Sequence, residues 1–454
     1  MIIFVSMRLS RYITFAAALM LLAGTTAYSQ TKKGRQGYSF DRETGLVRTE
    51  TGQMQCPEFA RLLREDRSRA GCNTNSYEFM PIHDTPAPKG YKPFYVSHYG
   101  RHGSRSNWGA NNYKRLADTL RSAKDAGLLT ASGDSLLNEV LQVYALHDGM
   151  DGRLTPRGCY EHKMLARRLY NRYPKVFKQK GYEVRARSST VQRCIVSMTA
   201  FTNELTAIDP KMNITWDTGE TFMKYISNGA SDKSWKRVRH LVDSVKSTYR
   251  PDSSYVMHLL FTDSTAARKF VPDIEKFQHD IFLAGVVADT FELENSPLRF
   301  LPFDALYKWF EADNLILFLA NCNFQELVEE RMRSTEPLVN DMVTKADEAI
   351  AGKKVAADLR FGHDYPLEAM VTYLGFEGIG DRLTVDEARS KWFGAWMIPF
   401  AGNMEMVFYR NKAGKVLVKF LLNEQETLLR GLQSVEGPYY DWETVKANLK
   451  GYMR

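Results

Sequence analysis

Strand-like runs that each hand over to a capped helix are what most limits the folds open to this chain. The run Phe94-Tyr95-Val96-Ser97 leads into Arg101-His102-Gly103-Ser104-Arg105. Tyr113, Leu116 and Leu120 then mark a helix over 111–126 that Gly127 closes as a C′ glycine. Leu154-Thr155-Pro156 opens another helix, with Thr155 as N-cap, Pro156 at the first position and Leu165, Leu169 and Tyr173 continuing the stripe. Tyr182 to Arg187 reads as a strand, followed by Ser188-Ser189-Thr190 as the cap of a helix that aligns Val191, Ile195, Met198 and Leu205. Met212 to Trp216 is a further strand, Val355 to Gly362 the next, and a helix runs from Pro366 to Leu374. Met404 to Tyr409 and Lys415 to Leu422, joined around Asn411 to Gly414, predict a hairpin. Strands alternating with helices require an α/β core with a largely parallel sheet and room for antiparallel edges.

The alternation is interrupted once. Between about 219 and 352 the pattern is mostly helical and charged, which predicts an inserted helical cap between core segments 90–218 and 353–430. Residues 30–89 form a polar extension with one helical stretch near 57–66, and 431–454 a C-terminal tail. Residues 1–29 read as a signal peptide. Arg8 and Arg11 are the basic part, Tyr12 to Gly24 the apolar part, and Ala27-Tyr28-Ser29 the small-x-small cleavage site. The apolar run is too short to span a bilayer and none like it follows, so the expectation is a periplasmic or secreted protein with no stable membrane insertion. Met7 is an alternative start to Met1.

Cleavage there would remove two arginines and no acid, lowering the formal charge from +8 to +6. A mild basic excess suits anionic ligands. No run of Lys and Arg alternates with aromatics, so nucleic acid is not an expected partner. The five cysteines, Cys56, Cys72, Cys159, Cys194 and Cys322, are odd in number and show no metal-pair spacing. Cys56–Cys72 is the favoured bridge on proximity, and no cysteine sits where catalysis would need it.

Chemistry concentrates at three strand-to-helix junctions, where open α/β sheets collect ligands. Arg101 and Arg105 flank a glycine-relaxed turn and can grip a phosphoryl group from two sides, with His102 facing the phosphorus. Arg187 ends its strand beside a helix start, which favours an anion. His363 and Asp364 lie on the turn before Pro366. Cleaving a phosphate ester needs a nucleophile, charge on the equatorial oxygens and an acid for the leaving oxygen. His102 supplies the first, and Arg101, Arg105, Arg187 and His363 the second. Asp364 supplies the third, protonated because a dianionic substrate raises its pKa. The set requires no metal or cofactor. His98 reads as a strand-end residue bonded to backbone, His162 as a surface or packing residue, and Arg193 as a loop anchor.

These motifs resemble those of the histidine acid phosphatases, in the clade of phytases and multiple inositol polyphosphate phosphatases. Arg101-His102-Gly103-Ser104-Arg105 is similar to the family's N-terminal signature, and Leu154-Thr155-Pro156-Arg157-Gly158 to its Leu-Thr-x-x-Gly helix start. Arg187-Ser188-Ser189 through Arg193 resembles its second arginine segment, and His363-Asp364 its proton-donor pair. The match runs in family order from about 90 to 425. Asn107 replaces a usual proline, and His363-Asp364-Tyr365 differs from the His-Ala-Glu of the inositol-polyphosphate branch. The resemblance implies a histidine-phosphatase-like core sheet flanked by helices, a helical cap, and a phosphohistidine on His102. It implies a small phosphorylated substrate, inositol polyphosphates such as phytate or a broader range of monoesters. A mutase-like transferase and a non-catalytic phosphate-ester binder remain the other classes. The export signal speaks against the first, and retention of both nucleophile and acid against the second.

Overall fold

The computed structural model describes residues 39–41, 45–49, 54–228, 232–321 and 323–452. The signal segment, both candidate starts and Cys322 lie outside the described residues. Among those described, one mixed sheet is built from β1 (Lys92–Arg101), β2 (Glu183–Ser188), β3 (Asn213–Thr218), β4 (Val355–Gly362), β5 (Asn403–Arg410), β6 (Val416–Leu422), β7 (Gln425–Thr427) and β8 (Tyr439–Asp441). The order is β7-β6-β5-β1-β4-β2-β3, with β8 also on β6. β1, β4, β2 and β3 are parallel to one another, and the hairpin β5–β6 adds the antiparallel edge. Every residue of β4 is buried, as a strand covered on both faces requires.

Register decides where the site forms. Arg101 at the end of β1 pairs with Gly362 at the end of β4, and Ser188 at the end of β2 pairs with Phe361. Three strand ends therefore finish flush, and the turns that follow them share one crevice.

The principal helices are α1 (Pro57–Glu65), α2 (Asn111–Asp125), α3 (Ala131–His147), α4 (Pro156–Arg172), α5 (Gln192–Ile208), α6 (Glu220–Ile226), α7 (Asp232–Thr248), α8 (Ser254–Leu260), α9 (Ile274–Ala288), α10 (Phe303–Asn321), α11 (Val328–Ile350) and α12 (Asp364–Tyr373). Strand alternation sorts them into two layers. On one face Val96, Val184, Ala186 and Leu359 meet Leu165, Leu169, Met198 and Phe201 of α4 and α5. On the other, Tyr95, Tyr99, Met404 and Phe408 meet Leu338 and Met342 of α11 and Leu367 and Met370 of α12. A separate core gathers α1, α2, α3, α8 and α9 with the first part of α10, around Leu63, Leu120, Val140, Leu260, Phe282 and Phe310. The helices between 219 and 352 thus divide their contacts, α6 and α11 against the sheet, α7 against α10, and α8 and α9 against α2 and α3. No described helix is long and apolar enough to cross a membrane.

Three local expectations need correction. Cys56, Cys72, Cys159 and Cys194 are free thiols, so the Cys56–Cys72 bridge is not made. Ser188-Ser189-Thr190 does not supply the N-cap of α5, which is Val191 with no side-chain bond; the Ser189 hydroxyl accepts the Val191 N–H at 3.4 Å and lies 3.1 Å from His363 Nε2. α12 begins at Asp364 with His363 as N-cap, two residues ahead of Pro366.

Candidate active site

The turn after β1 is built on α4. Thr155 caps α4 by accepting the Gly158 N–H at 3.3 Å, and its own hydroxyl donates to the Ser104 carbonyl at 3.0 Å. Gly158 is required here, since a Cβ would lie 2.3 Å from the Ser104 oxygen. One helical turn on, fully buried Glu161 accepts the Ser104 N–H at 2.7 Å, the Ser104 hydroxyl at 2.6 Å and the Tyr77 N–H at 3.0 Å. A buried carboxylate with that many donors is costly to disturb. It fixes the loop that carries His102.

His102 is 2% exposed, with its backbone N–H on the Gly362 carbonyl at 2.9 Å. Its Nδ1 lies 3.0 Å from the Gly103 carbonyl, which can only accept, so Nδ1 carries the proton and Nε2 keeps its lone pair. Burial, then the charges of Arg101, Arg193 and Arg105, hold the imidazole well below the ordinary histidine pKa. The ring is therefore held in its neutral form with Nε2 unprotonated.

Three guanidiniums stand around it. Arg101 is buried, lies over Phe400 at 4.6 Å and donates to the carbonyls of Ile398, at 2.9 Å, and Asn73. Arg105 lies 4.3 Å from the Trp108 ring, and burial with the charges of Arg101 and Arg193 pushes it down to about 9. Arg193, in the first turn of α5, lies 4.7 Å from the same ring and reaches His363 Nδ1 at 3.5 Å. The Nε of each of the three finds no acceptor among the described residues. Crowded cations with unused donors are the complement of a multiply charged anion.

Arg187 is not among them. Period-two alternation puts it on the same face as Arg185, because Val184 and Ala186 face α4 and α5. Its guanidinium donates to the Ala186 carbonyl at 2.8 Å and lies over Phe222. There it lines a separate cavity of about 190 Å³ with Arg185, Tyr225, Asp341 and Arg360. Arg193, expected only to anchor the loop, takes the place expected for Arg187. The periodicity held the clue, since a strand residue two after Arg185 must share its face, whereas the first turn of the next helix opens onto the crevice.

His363 and Asp364 come to the site as expected, with altered detail. His363 Nδ1 accepts from Arg193, so its proton is on Nε2, 3.1 Å from the Ser189 hydroxyl. Burial and Arg193 push it down to about 4. It braces Arg193 as much as it faces His102, whose ring centre is 5.7 Å away. Burial alone would raise the Asp364 carboxyl, but Arg101, His363 and Arg105 outweigh it and hold it below its usual value. Asp364 is therefore held ionised against Arg101, with which it pairs at 3.0 Å. The two set-aside histidines are core residues: His98 and His162 are buried against Phe201 and Phe361. Among the described residues no three His, Cys, Asp or Glu side chains group closely enough to hold a metal ion.

Comparison with known proteins fits this geometry. The sequence model of the histidine phosphatase superfamily (branch 2) matches residues 100–423. No curated protein sequence matches the chain. Among solved structures it is similar to the multiple inositol polyphosphate phosphatase of Bifidobacterium longum in complex with phosphate, with a TM-score of 0.69 and 16% identity over 84% of this chain and 97% of that one. The phytase from D. castellii gives a TM-score of 0.67 and 13% identity over 85% of each chain. At such identities the likeness is one of fold.

Proposed function

The chain belongs to the histidine phosphatase superfamily, branch 2, and is a phosphatase; we propose that it is exported and hydrolyses inositol polyphosphates through a phosphohistidine on His102. The observation that carries the mechanism is a buried, neutral His102 with its Nδ1 proton tied down, set among three guanidiniums. The Nε2 lone pair attacks phosphorus, forming the N–P bond as the ester P–O bond breaks. The leaving oxygen takes a proton from Asp364. Water then attacks phosphorus, giving its proton to the Asp364 carboxylate, and the N–P bond breaks to release phosphate. Arg101, Arg105 and Arg193 hold the equatorial oxygens throughout.

The ionised state of Asp364 says where its proton comes from. A phosphate monoester is a monoanion below about pH 6, and such a substrate carries a proton in. Its charge also offsets Arg101, which frees Asp364 to accept that proton. His102 stays neutral well below the ordinary histidine value, so the nucleophile is not lost in mild acid. Turnover is therefore greatest on the acid side and falls as pH rises through about 6, where the substrate proton is lost.

Three arginines in one pocket and the named substrates of the similar structures support the polyphosphate preference. The basic and apolar runs before Ala27-Tyr28-Ser29 support export. The test is phosphate release from inositol hexakisphosphate, a sugar phosphate and an aryl phosphate, measured across acid to neutral pH with and without a chelator. The expected result is release from inositol hexakisphosphate, an acid optimum and no effect of the chelator. Strong turnover of the small esters with none of the hexakisphosphate would replace this reading by a broad acid phosphatase.

A further inference from the structure

Asp364 has a partner from the segment that precedes the sheet. Asn73 lies near the end of the 3₁₀ turn Arg67–Thr74, ahead of β1. Its side-chain Nδ2 donates to Asp364 Oδ2 at 2.8 Å, and its carbonyl accepts from Arg101 Nη1. Arg101 Nη2 is 3.0 Å from the same Oδ2. One residue thus holds both members of the ion pair, the arginine by its main chain and the acid by its amide.

The backbone around Asn73 is built for this placement. Cys72, not a glycine, sits at φ 51° and ψ −120° inside the turn. Such a conformation costs about 1–3 kcal/mol and persists only where its surroundings impose it. Cys72 is buried, and the Asn75 N–H donates to its carbonyl at 3.1 Å. The Asn75 carbonyl in turn accepts the Phe400 N–H at 2.9 Å, and the Phe400 ring lies against Arg101.

We propose that Asn73 is a positioning residue for the general acid, fixing the Asp364 carboxyl so that Oδ1 is the oxygen that carries the transferred proton. Two donors fill Oδ2. Among the described residues Oδ1 accepts only the Tyr365 N–H, at 3.0 Å, and keeps a lone pair for the proton. Without the Asn73 donor Oδ2 keeps only the Arg101 pair, for which the substrate's charge competes, and the carboxyl can turn to present either oxygen. This inference rests on the reading of Asp364 as the acid.

The test uses Asn73→Ala and Asn73→Leu, the second keeping most of the side-chain volume without a donor, beside Asp364→Asn and the unsubstituted protein. The readout is kcat and KM on an alkyl and an aryl phosphate, with thermal melting to confirm folding. A general acid contributes about 10²–10⁴-fold on a poor leaving group. Both Asn73 variants are expected to lose roughly tenfold of that in kcat on the alkyl ester, with little loss on the aryl ester and KM unchanged. An unchanged alkyl-to-aryl ratio, or equal losses on both esters, overturns the role of Asn73. If Asp364→Asn itself leaves the ratio unchanged, Asp364 is not the acid, and both readings fall.

Discussion

Arg187 and Arg193 are close in the chain yet end on different sides of the sheet, because strands and helix starts aim side chains by different rules. Replacing Arg193 with Ala should cut kcat on any phosphate ester by about 10²-fold, the usual loss when one charge-stabilising donor goes. Arg187→Ala should stay within about threefold, since its guanidinium is spent on the Ala186 carbonyl and Phe222. Steady-state kinetics on the two folded variants decides it, and a larger loss for Arg187→Ala would reverse the assignment. The Arg101 to Arg105 segment and the His363-Asp364 pair were readable because each packs several chemical groups into a few adjacent residues. Asn73 was not, since a single amide in a polar stretch has no periodicity to mark it, and its aim depends on the left-handed Cys72.

At the scale of elements, the Leu154 to Gly158 motif serves the catalytic turn as well as its own helix. Thr155 and Pro156 were legible as a helix start, a cap worth about 1 kcal/mol. The reason for Gly158 was not, because the close approach of Ser104 is a tertiary fact. Gly158→Ala should destabilise the fold by about 1–3 kcal/mol through overpacking against backbone, and lower activity by displacing the turn that carries His102. Gly109→Ala meets open space and is the control. Melting temperatures and kcat for both variants check this, and an unaffected Gly158→Ala would show that the turn does not depend on α4. The shifted cap at Ser188-Ser189-Thr190 is also tertiary in part, since the Ser189 hydroxyl shares its local bond to the Val191 N–H with a contact to His363 across strands.

At the scale of the whole molecule, the flush ends of β1, β4 and β2 bring Arg101, His363 and Arg193 together from distant parts of the chain. The α/β alternation and the hairpin were legible because they follow hydrophobic period. How the helices from 219 to 352 divide between the sheet and the second core was not, because a stripe of apolar residues does not name the surface it will cover. The account stands on His102 becoming covalently phosphorylated. The most direct measurement is acid-free rapid quenching of the enzyme with a labelled phosphate ester, followed by peptide mapping of the labelled residue. The account predicts an acid-labile phosphoryl group on His102 that forms and decays at the turnover rate and is absent from His102→Ala. Normal turnover by folded His102→Ala, or label on another residue, would contradict it.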